Sequence, residues 1–314
     1  MPARPEYERN LVIVHTPALQ SRSDFETIRA KLAERAPDIE VFIANNQARN
    51  SVTRKQAARR PSLIFSPVEL KEFRPSRGKV YAGRALTKME EYGRLAGAGL
   101  PVPETVMLQP DTRLDPEHWG PFTVLKPNFG RQGLGVRLVR TRDVVWRDPF
   151  SWPRDDPRFG CQMLAQKFID TGPPITSHRV HMVFGRVIYS TSSVNDAPPI
   201  EHDPAGVDRL DVPVAANQGP RHLVLNYRED TFATARQAAA ALPDMASIGM
   251  DLIQERATGK LYILELNSRG MTWHISSNYG REVQRKHGID FVNQFGALDA
   301  IADALIEVTR REAE

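Results

Sequence analysis

The chain has a single cysteine, Cys161, among 314 residues. One thiol excludes an intrachain disulfide and any cysteine-rich zinc site, and it makes a reducing cytoplasm the expected compartment. Long apolar runs are missing too. No stretch approaches the roughly 20 residues that a membrane-spanning helix needs, and the apolar tetrad at residues 11–14 is too short for a secretory core. No G-x-G-x-x-G follows that tetrad and no G-x-S-x-G elbow occurs anywhere, so neither a dinucleotide fingerprint nor a nucleophile elbow is present. Lysine is scarce, at 9 against 33 arginines, and 42 basic against 38 acidic side chains leave a net charge of only +4. That balance gives no reason to expect nucleic acid as a partner, although an anionic substrate fits. The remainder, 41% hydrophobic and 25% charged, is the composition of a soluble globular chain long enough for two or three packed units.

Strand and helix signals alternate over residues 1–84. Apolar runs at 11–14, 40–43 and 62–65 read as strands. Ser23-Asp-Phe-Glu26 reads as a capping box, with Phe25, Ile28 and Leu32 on one helical face. Ser66-Pro-Val-Glu69 reads as a second box with proline at the first helical position. The basic stretch with Arg54, Lys55, Arg59 and Arg60 reads as a solvated helix face. This alternation predicts a small parallel α/β unit. A third box, Thr87-Lys-Met-Glu90, opens a helix over 88–95, stopped by Gly97-Ala-Gly99 with Pro101 and Pro103 beyond. Strands are then predicted at 104–108, 122–126, 135–139 and 164–169, with a long surface loop at 141–160. A hairpin of 179–184 and 187–191 turns about Gly185-Arg186. An irregular loop at 195–220, a helix at 231–242 and a long amphipathic helix at 290–311 complete the reading.

The most informative stretch is 249–267. Two strands flank Ala257-Thr-Gly259, a three-residue loop with glycine in the left-handed place. Closing it pairs Arg256 with Lys260, and counting outward sets Asp251 opposite Glu265, with Cβ atoms roughly 4.5–5.5 Å apart. Alternation brings Asn267 to the same face, and the apolar pattern of Leu252, Tyr262, Leu264 and Leu266 packs the hairpin on a core. Two carboxylates so close repel one another unless a cation lies between them. Oxygen-only ligands of this kind suit Mg²⁺, completed by waters and phosphates. A second stretch begins where a strand ends on Lys126 and enters a loop whose Gly130, Gly133 and Gly135 let the backbone approach a polyanion. Its G-x-x-G-x-G spacing matches neither the Walker loop nor the dinucleotide fingerprint. Lys88 follows its cap directly, where a helix N-terminus favours anions. The plainer alternatives are a solvated acidic edge, a glycine-rich hairpin and a solvent-facing lysine. His178 and His181 lie three apart on a strand, face opposite ways and cannot jointly chelate a metal. Cys161 reads as a buried apolar residue. Asn217 and Arg221 are loop residues within reach of a substrate.

Taken in order, these parts resemble the ATP-grasp superfamily. Its pattern is a lysine-headed helix ending Gly-x-x-x-Pro, Lys-Pro with a glycine loop, a short adenine-binding hinge, a strand bearing Arg, then Asp, and finally Glu-x-Asn. Here these read Lys88 with Gly99-Leu-Pro-Val-Pro103, Lys126-Pro127 with the loop to Gly135, the hinge Gln166-Lys167-Phe168-Ile169, Arg179, Asp251, and Glu265-Leu-Asn267. The likeness covers roughly residues 80–310, and among its branches the RimK-type amino-acid and peptide ligases look closest.

The resemblance implies an α/β chain in which two α+β lobes clamp ATP. It implies a pre-ATP-grasp domain at 1–84 and an ATP-grasp domain at 85–314, with lobes of about 85–165 and 166–314. Lys88 and Lys126 would hold the α/β-phosphates, and the loop of Gly130, Arg131, Gln132, Gly133 and Gly135 would close over the γ-phosphate. Backbone groups of the hinge would meet the adenine edge. Asp251, Glu265 and Asn267 would carry two Mg²⁺ ions, with Mn²⁺ as a substitute. Arg179 would steady an acyl phosphate and a tetrahedral intermediate. The implied reaction passes the γ-phosphoryl group to a substrate carboxylate, which an amine (or thiol) of an amino acid or peptide then attacks. An ATP-grasp kinase that stops at phosphorylation and a non-catalytic ATP-binding regulatory module are the alternatives. Three departures stand out: Lys167 replaces a frequent Glu, Ser177 stands where an acid often binds ribose, and Ser-Arg-Gly-Met-Thr-Trp-His274 follows Asn267. Asp170 is the substitute for the ribose acid, and Arg269, Trp273 and His274 join Asn217 as substrate-contact candidates. Small-molecule or peptide partners are expected, nucleic acid and membrane are not, and a homo-oligomer is left open.

Overall fold

The computed structural model describes residues 7–48, 51–130, 133–195, 211–213, 221–269 and 272–314. The N-terminal unit comprises strands β1 (Arg9–His15), β2 (Ile39–Asn45), β3 (Ser62–Ser66) and β4 (Lys79–Ala82), with helices α1 (Arg22–Arg35) and α2 (Ser51–Ala57). All its strands run parallel in the order β2-β1-β3-β4. Leu11, Val12, Ile13 and Val14 are all fully buried, as a central parallel strand covered on both faces requires. The capping of α1 differs from the expected box: Ser21 is the N-cap and accepts from the Ser23 amide, two residues earlier. The helix expected after Ser66 does not form. There Ser66 Oγ accepts from the Val68 amide, and Glu69 Oε1 accepts from the Ala85 amide 3.0 Å away, so the acid closes a longer-range contact instead of a local box.

The next unit contains α3 (Lys88–Gly97), β5 (Thr105–Met107), α4 (Pro116–Trp119), β6 (Phe122–Pro127), β7 (Arg137–Arg140) and β8 (Met163–Lys167). Both halves of the Thr87/Glu90 capping box are made. A third unit follows with β9 (Ile175–Val183), β10 (Arg186–Asn195), β11 (Asp211–Pro213), β12 (Arg221–Leu225), α5 (Glu229–Ala240), β13 (Ser247–Gln254), β14 (Leu261–Asn267), α6 (Asn278–His287), α7 (Phe291–Phe295) and α8 (Ala297–Glu312). Two five-stranded antiparallel sheets result, β11-β7-β6-β8-β5 and β12-β10-β9-β13-β14. β11 falls inside the region read as an irregular loop. It crosses the lobe boundary expected at 165/166 and pairs with β7 on the edge of the earlier sheet.

The β9/β10 turn is Phe184-Gly185, one position before the expected pair, since Arg186 pairs with Val183. Both turn residues have positive φ, +46° and +77°, the handedness a two-residue hairpin favours. Phe184 adopts it while its ring packs against Phe65 and Tyr81. The predicted C-terminal helix is divided at Gly296, at φ +61°, into α7 and α8. α6, not anticipated, carries its own signature of a Ser277 cap, basic last turn and left-handed Gly288. α8 buries Leu298, Ile301, Leu305 and Val308 in the core shared by α1, β1, β3 and β10. No helix among the described residues is long and apolar enough to cross a membrane.

α6 also fixes the chain that follows β14. A Cβ built on Gly280 would lie 2.0 Å from the His274 carbonyl oxygen and 2.5 Å from its carbon. Gly280→Ala must therefore separate α6 from backbone, not from a movable side chain. The expected result is a loss of about 1–3 kcal/mol or more, read as a lowered melting temperature. An unchanged melt would show that α6 shifts freely.

Candidate active site

Three adjacent strands set a row of charged side chains. Arg179 on β9 lies opposite Asp251 on β13, which lies opposite Glu265 on β14. Alternation turns Val180, Met182, Met250, Leu252 and Leu266 into the core beneath α5 and leaves the charged row on the other face. The expected Asp251/Glu265 pairing is present, but the path to it differs. The turn closes at Glu255 and Lys260, with the Glu255 amide donating to the Lys260 carbonyl at 2.9 Å. Gln254, Ile253 and Leu252 then pair with Leu261, Tyr262 and Ile263, one residue off the expected register. A bulge at Leu264 restores it, so a four-residue loop and an inserted residue cancel.

Each carboxylate of the row meets a cation. Asp251 accepts from Arg179 Nε and Nη2, both at 2.7 Å, and from Asn267 Nδ2 at 3.3 Å. Glu265 Oε1 lies 2.9 Å from Lys88 Nζ. Burial opposes the charge of Arg179, but the Asp251 carboxylate outweighs it and raises the guanidinium pKa above its usual value. Among the described residues no three His, Cys, Asp or Glu side chains cluster as a metal site. The donor set is two carboxylates and an amide, all oxygen donors to a cation. It fits a hard ion that takes its remaining ligands from water and phosphate.

The opposite wall comes from the second unit. Lys126, near the end of β6, is buried, and its Nζ donates to Gln166 Oε1 at 2.8 Å and to the Tyr92 hydroxyl. Burial first, then the nearby Lys88 charge, lowers its pKa to about 7. Only the ammonium form attracts phosphate. ATP affinity is therefore expected to be highest below about pH 7 and to fall by up to about tenfold per pH unit above it, until the pKa of the bound lysine is reached. Calorimetry across that range checks this, with Lys126→Met predicted to be weaker and flat. A flat wild-type profile would remove Lys126 from the site.

A cavity of about 350 Å³ joins the two walls. Lys88, Lys126, Gly130, Gly133, Gln166, Lys167, Phe168, Ile169, Asp170, Arg179, Asp251, Glu265 and His274 all line it, as do Ser177 and Arg221. Gly135 stands just outside; at φ +76° it lets Pro127 and Arg158 close to 3.0 Å of where a Cβ would be. Arg131, Gln132 and Asn217 lie outside the described residues. Lys167 sends its ammonium away to the His118 carbonyl, 2.7 Å distant. Asp170 Oδ1 accepts from the Gly172 amide at 2.8 Å, so this oxygen shapes the hinge loop.

Two substrate candidates are displaced from the cavity. Trp273 is fully buried; its Nε1 donates to Asp24 Oδ2 at 2.7 Å and its ring stacks on Phe25. Arg269 is half-exposed beside Glu69, with its guanidinium over the Phe129 ring. His274 stays in the lining, packed against Tyr189 and Tyr279. Cys161 is only half-buried, its Sγ at 3.4 Å from both the amide and the carbonyl of Phe129. His178 and His181 point to opposite faces, His178 to Ser192 and His181 to the Thr272 carbonyl.

Sequence reasoning missed Tyr92 and Tyr279. Tyr92 was within reach, four residues after Lys88 and so on the same helical face. Tyr279 accepts from Arg221 Nη2 at 2.7 Å, a contact between α6 and β12 that no local pattern announces.

No protein-family model matches the chain, and no curated protein does. Solved structures do. The ATP-grasp ligase PsnB complexed with a phosphomimetic variant of its minimal precursor, Mg and ADP is 17% identical, at 96% coverage of this chain and 99% of that one, with a TM-score of 0.53. PsnB complexed with its minimal precursor is 16% identical, at 94% and 99% coverage, with a TM-score of 0.52.

Proposed function

We propose that this chain, which has the ATP-grasp fold, is an ATP-dependent ligase that activates a substrate carboxylate and joins it to an amine of an amino acid or peptide. The observation that carries the reading is the convergence of Lys88, Lys126, Arg179, Asp251 and Glu265 on one cavity beneath the hinge segment 166–170. Arg179, held against the acidic pair, is a further cation that holding Mg-nucleotide alone would not require. The Mg and ADP bound by PsnB support the same cofactors here, and the RimK-type order of motifs supports a carboxylate–amine reaction.

In this reading the hinge receives the adenine, Lys88 and Lys126 hold phosphate oxygens, and the glycine loop covers the transferred group. Asp251, Glu265 and Asn267 would hold Mg²⁺, which supplies neutralisation of phosphate charge when bound. A carboxylate oxygen of the substrate attacks the γ-phosphorus, ADP leaves, and an acyl phosphate forms. The amine then attacks the carbonyl carbon, passes through a tetrahedral intermediate and expels phosphate. Arg179 would stabilise the charge on both species. The chemistry is positioning and electrostatics, as phosphoryl transfer generally is.

The test is ADP release with acid pools, with amine pools and with both, the products read by mass spectrometry. A ligase requires both pools and gives a product lighter than its reactants by one water. Accumulation of a stable phosphorylated product from a single pool would indicate a kinase instead. Tight ATP binding without turnover in any pool would indicate a binding module.

A further inference from the structure

We propose that Tyr92 is a positioning residue: its hydroxyl joins the ammonium of Lys126 to the bulge on the strand that carries Glu265, and ATP affinity depends on that joint. The proposal rests on the nucleotide-site reading above and adds a residue that the motif order does not include.

Lys88, Glu91 and Tyr92 occupy positions i, i+3 and i+4 of α3 and therefore share one face. They meet three consecutive residues of β14. The Tyr92 hydroxyl donates to the Leu264 carbonyl at 2.6 Å, Lys88 Nζ contacts Glu265 Oε1 at 2.9 Å, and the Leu266 amide donates to Glu91 Oε2 at 3.2 Å. β14 is the edge of its sheet, and Leu264 is its bulged residue. A bulge takes its extra residue out of the ladder, so the backbone there needs other partners. α3 supplies them.

Directionality follows from chemistry. A carbonyl can only accept and an ammonium can only donate. The single Tyr92 proton therefore points at Leu264, and the phenol oxygen faces Lys126. The Lys126 ammonium also lies 4.6 Å from the centre of the Tyr92 ring, within cation–π range. Its other partner, Gln166, is itself anchored through Nε2 to Thr105 Oγ1 at 2.9 Å. Two neutral acceptors thus orient the ammonium without cancelling its charge, which stays available to an anion. Tyr92 is almost fully buried, so water cannot readily stand in for either contact.

Tyr92→Phe keeps the ring and removes only the hydroxyl. The expected result is ATP affinity weakened about tenfold or more, the usual scale for a hydrogen bond to a charged group, measured by calorimetry with a non-hydrolysable ATP analogue and Mg²⁺. Because the charged lysine loses an acceptor, the pH at which affinity falls should move downward, a shift that loosened packing alone would not produce. The effect should also largely vanish in a Lys126→Met background, since Tyr92 acts through that lysine. Gln166→Leu removes the other acceptor of the same ammonium and should give the same pH signature; it decides the matter if Tyr92→Phe does not fold. Unaltered affinity, an unmoved pH profile, or full additivity with Lys126→Met would overturn the proposal. If the wild-type protein binds no ATP analogue, the nucleotide-site reading itself fails, and that outcome is distinct from the others.

Discussion

Glu265→Gln is expected to reduce Mg²⁺-dependent ADP formation by about a thousandfold or more, the scale of several kcal/mol of lost charge stabilisation at a metal-assisted site. The substitution preserves shape and removes one negative charge. Its direct contact is the 2.9 Å pair with Lys88, and the Glu265 side chain keeps 31% of its exposure. The substituted amide keeps an oxygen that can still accept from the Lys88 ammonium, so the folding cost is small. The neighbouring backbone contacts of Leu264 and Leu266 do not involve the carboxylate. A melting temperature close to wild type, with turnover lost across an Mg²⁺ titration, is therefore the predicted pair of results. Full activity in the variant would remove Glu265 from the metal set.

Arg179→Met is expected to lower kcat by about a thousandfold or more, the scale associated with arginines that stabilise transferred phosphoryl groups. ATP binding should change far less, because in the proposed reading the phosphate contacts come from Lys88 and Lys126. Arg179→Lys should recover little. Asp251 holds the guanidinium through two bonds of 2.7 Å, and an ammonium cannot reproduce that planar fork. The check is the division of the loss between kcat and the KM for ATP. A loss confined to KM would make Arg179 a nucleotide ligand instead of a stabiliser of the reacting groups. Removing the arginine also leaves Asp251, among the described residues, with the 3.3 Å Asn267 contact, so a lower melting temperature is expected as well, unlike in Glu265→Gln.

Most of the candidate site is legible as short strings. Lys88 and its capping box, Lys126 at a strand end, and the Asp251/Glu265/Asn267 set all depend on alternation or local hydrogen bonding over a few residues. The structure places them where those rules predict. The hairpin shows the limit: the opposition of Asp251 and Glu265 expected from a three-residue loop arises instead from a four-residue loop offset by a bulge. The apolar spacing of 290–311 runs through Gly296 as in one continuous helix, while the left-handed Gly296 divides the chain there. Ser66 with Glu69 satisfied the pattern of a cap, but Glu69 found the Ala85 amide, a partner outside the reach of any local rule.

Composition and order by themselves determined an α/β chain without an intrachain disulfide or a membrane-spanning apolar run, with lysines and acids in an order that resembles the ATP-grasp pattern. Tertiary structure alone decided which of those residues share a cavity. It moved Trp273 into the core on Asp24, turned Arg269 outward, and revealed Tyr92 between Lys126 and Leu264. The physical reason is the range of the forces involved. Strand alternation, capping and charge repulsion act between near neighbours and leave a mark in the string. The partner of a buried hydroxyl or indole is set by whatever packing brings within 3 Å, and here those partners lie 34 to 249 positions away along the chain.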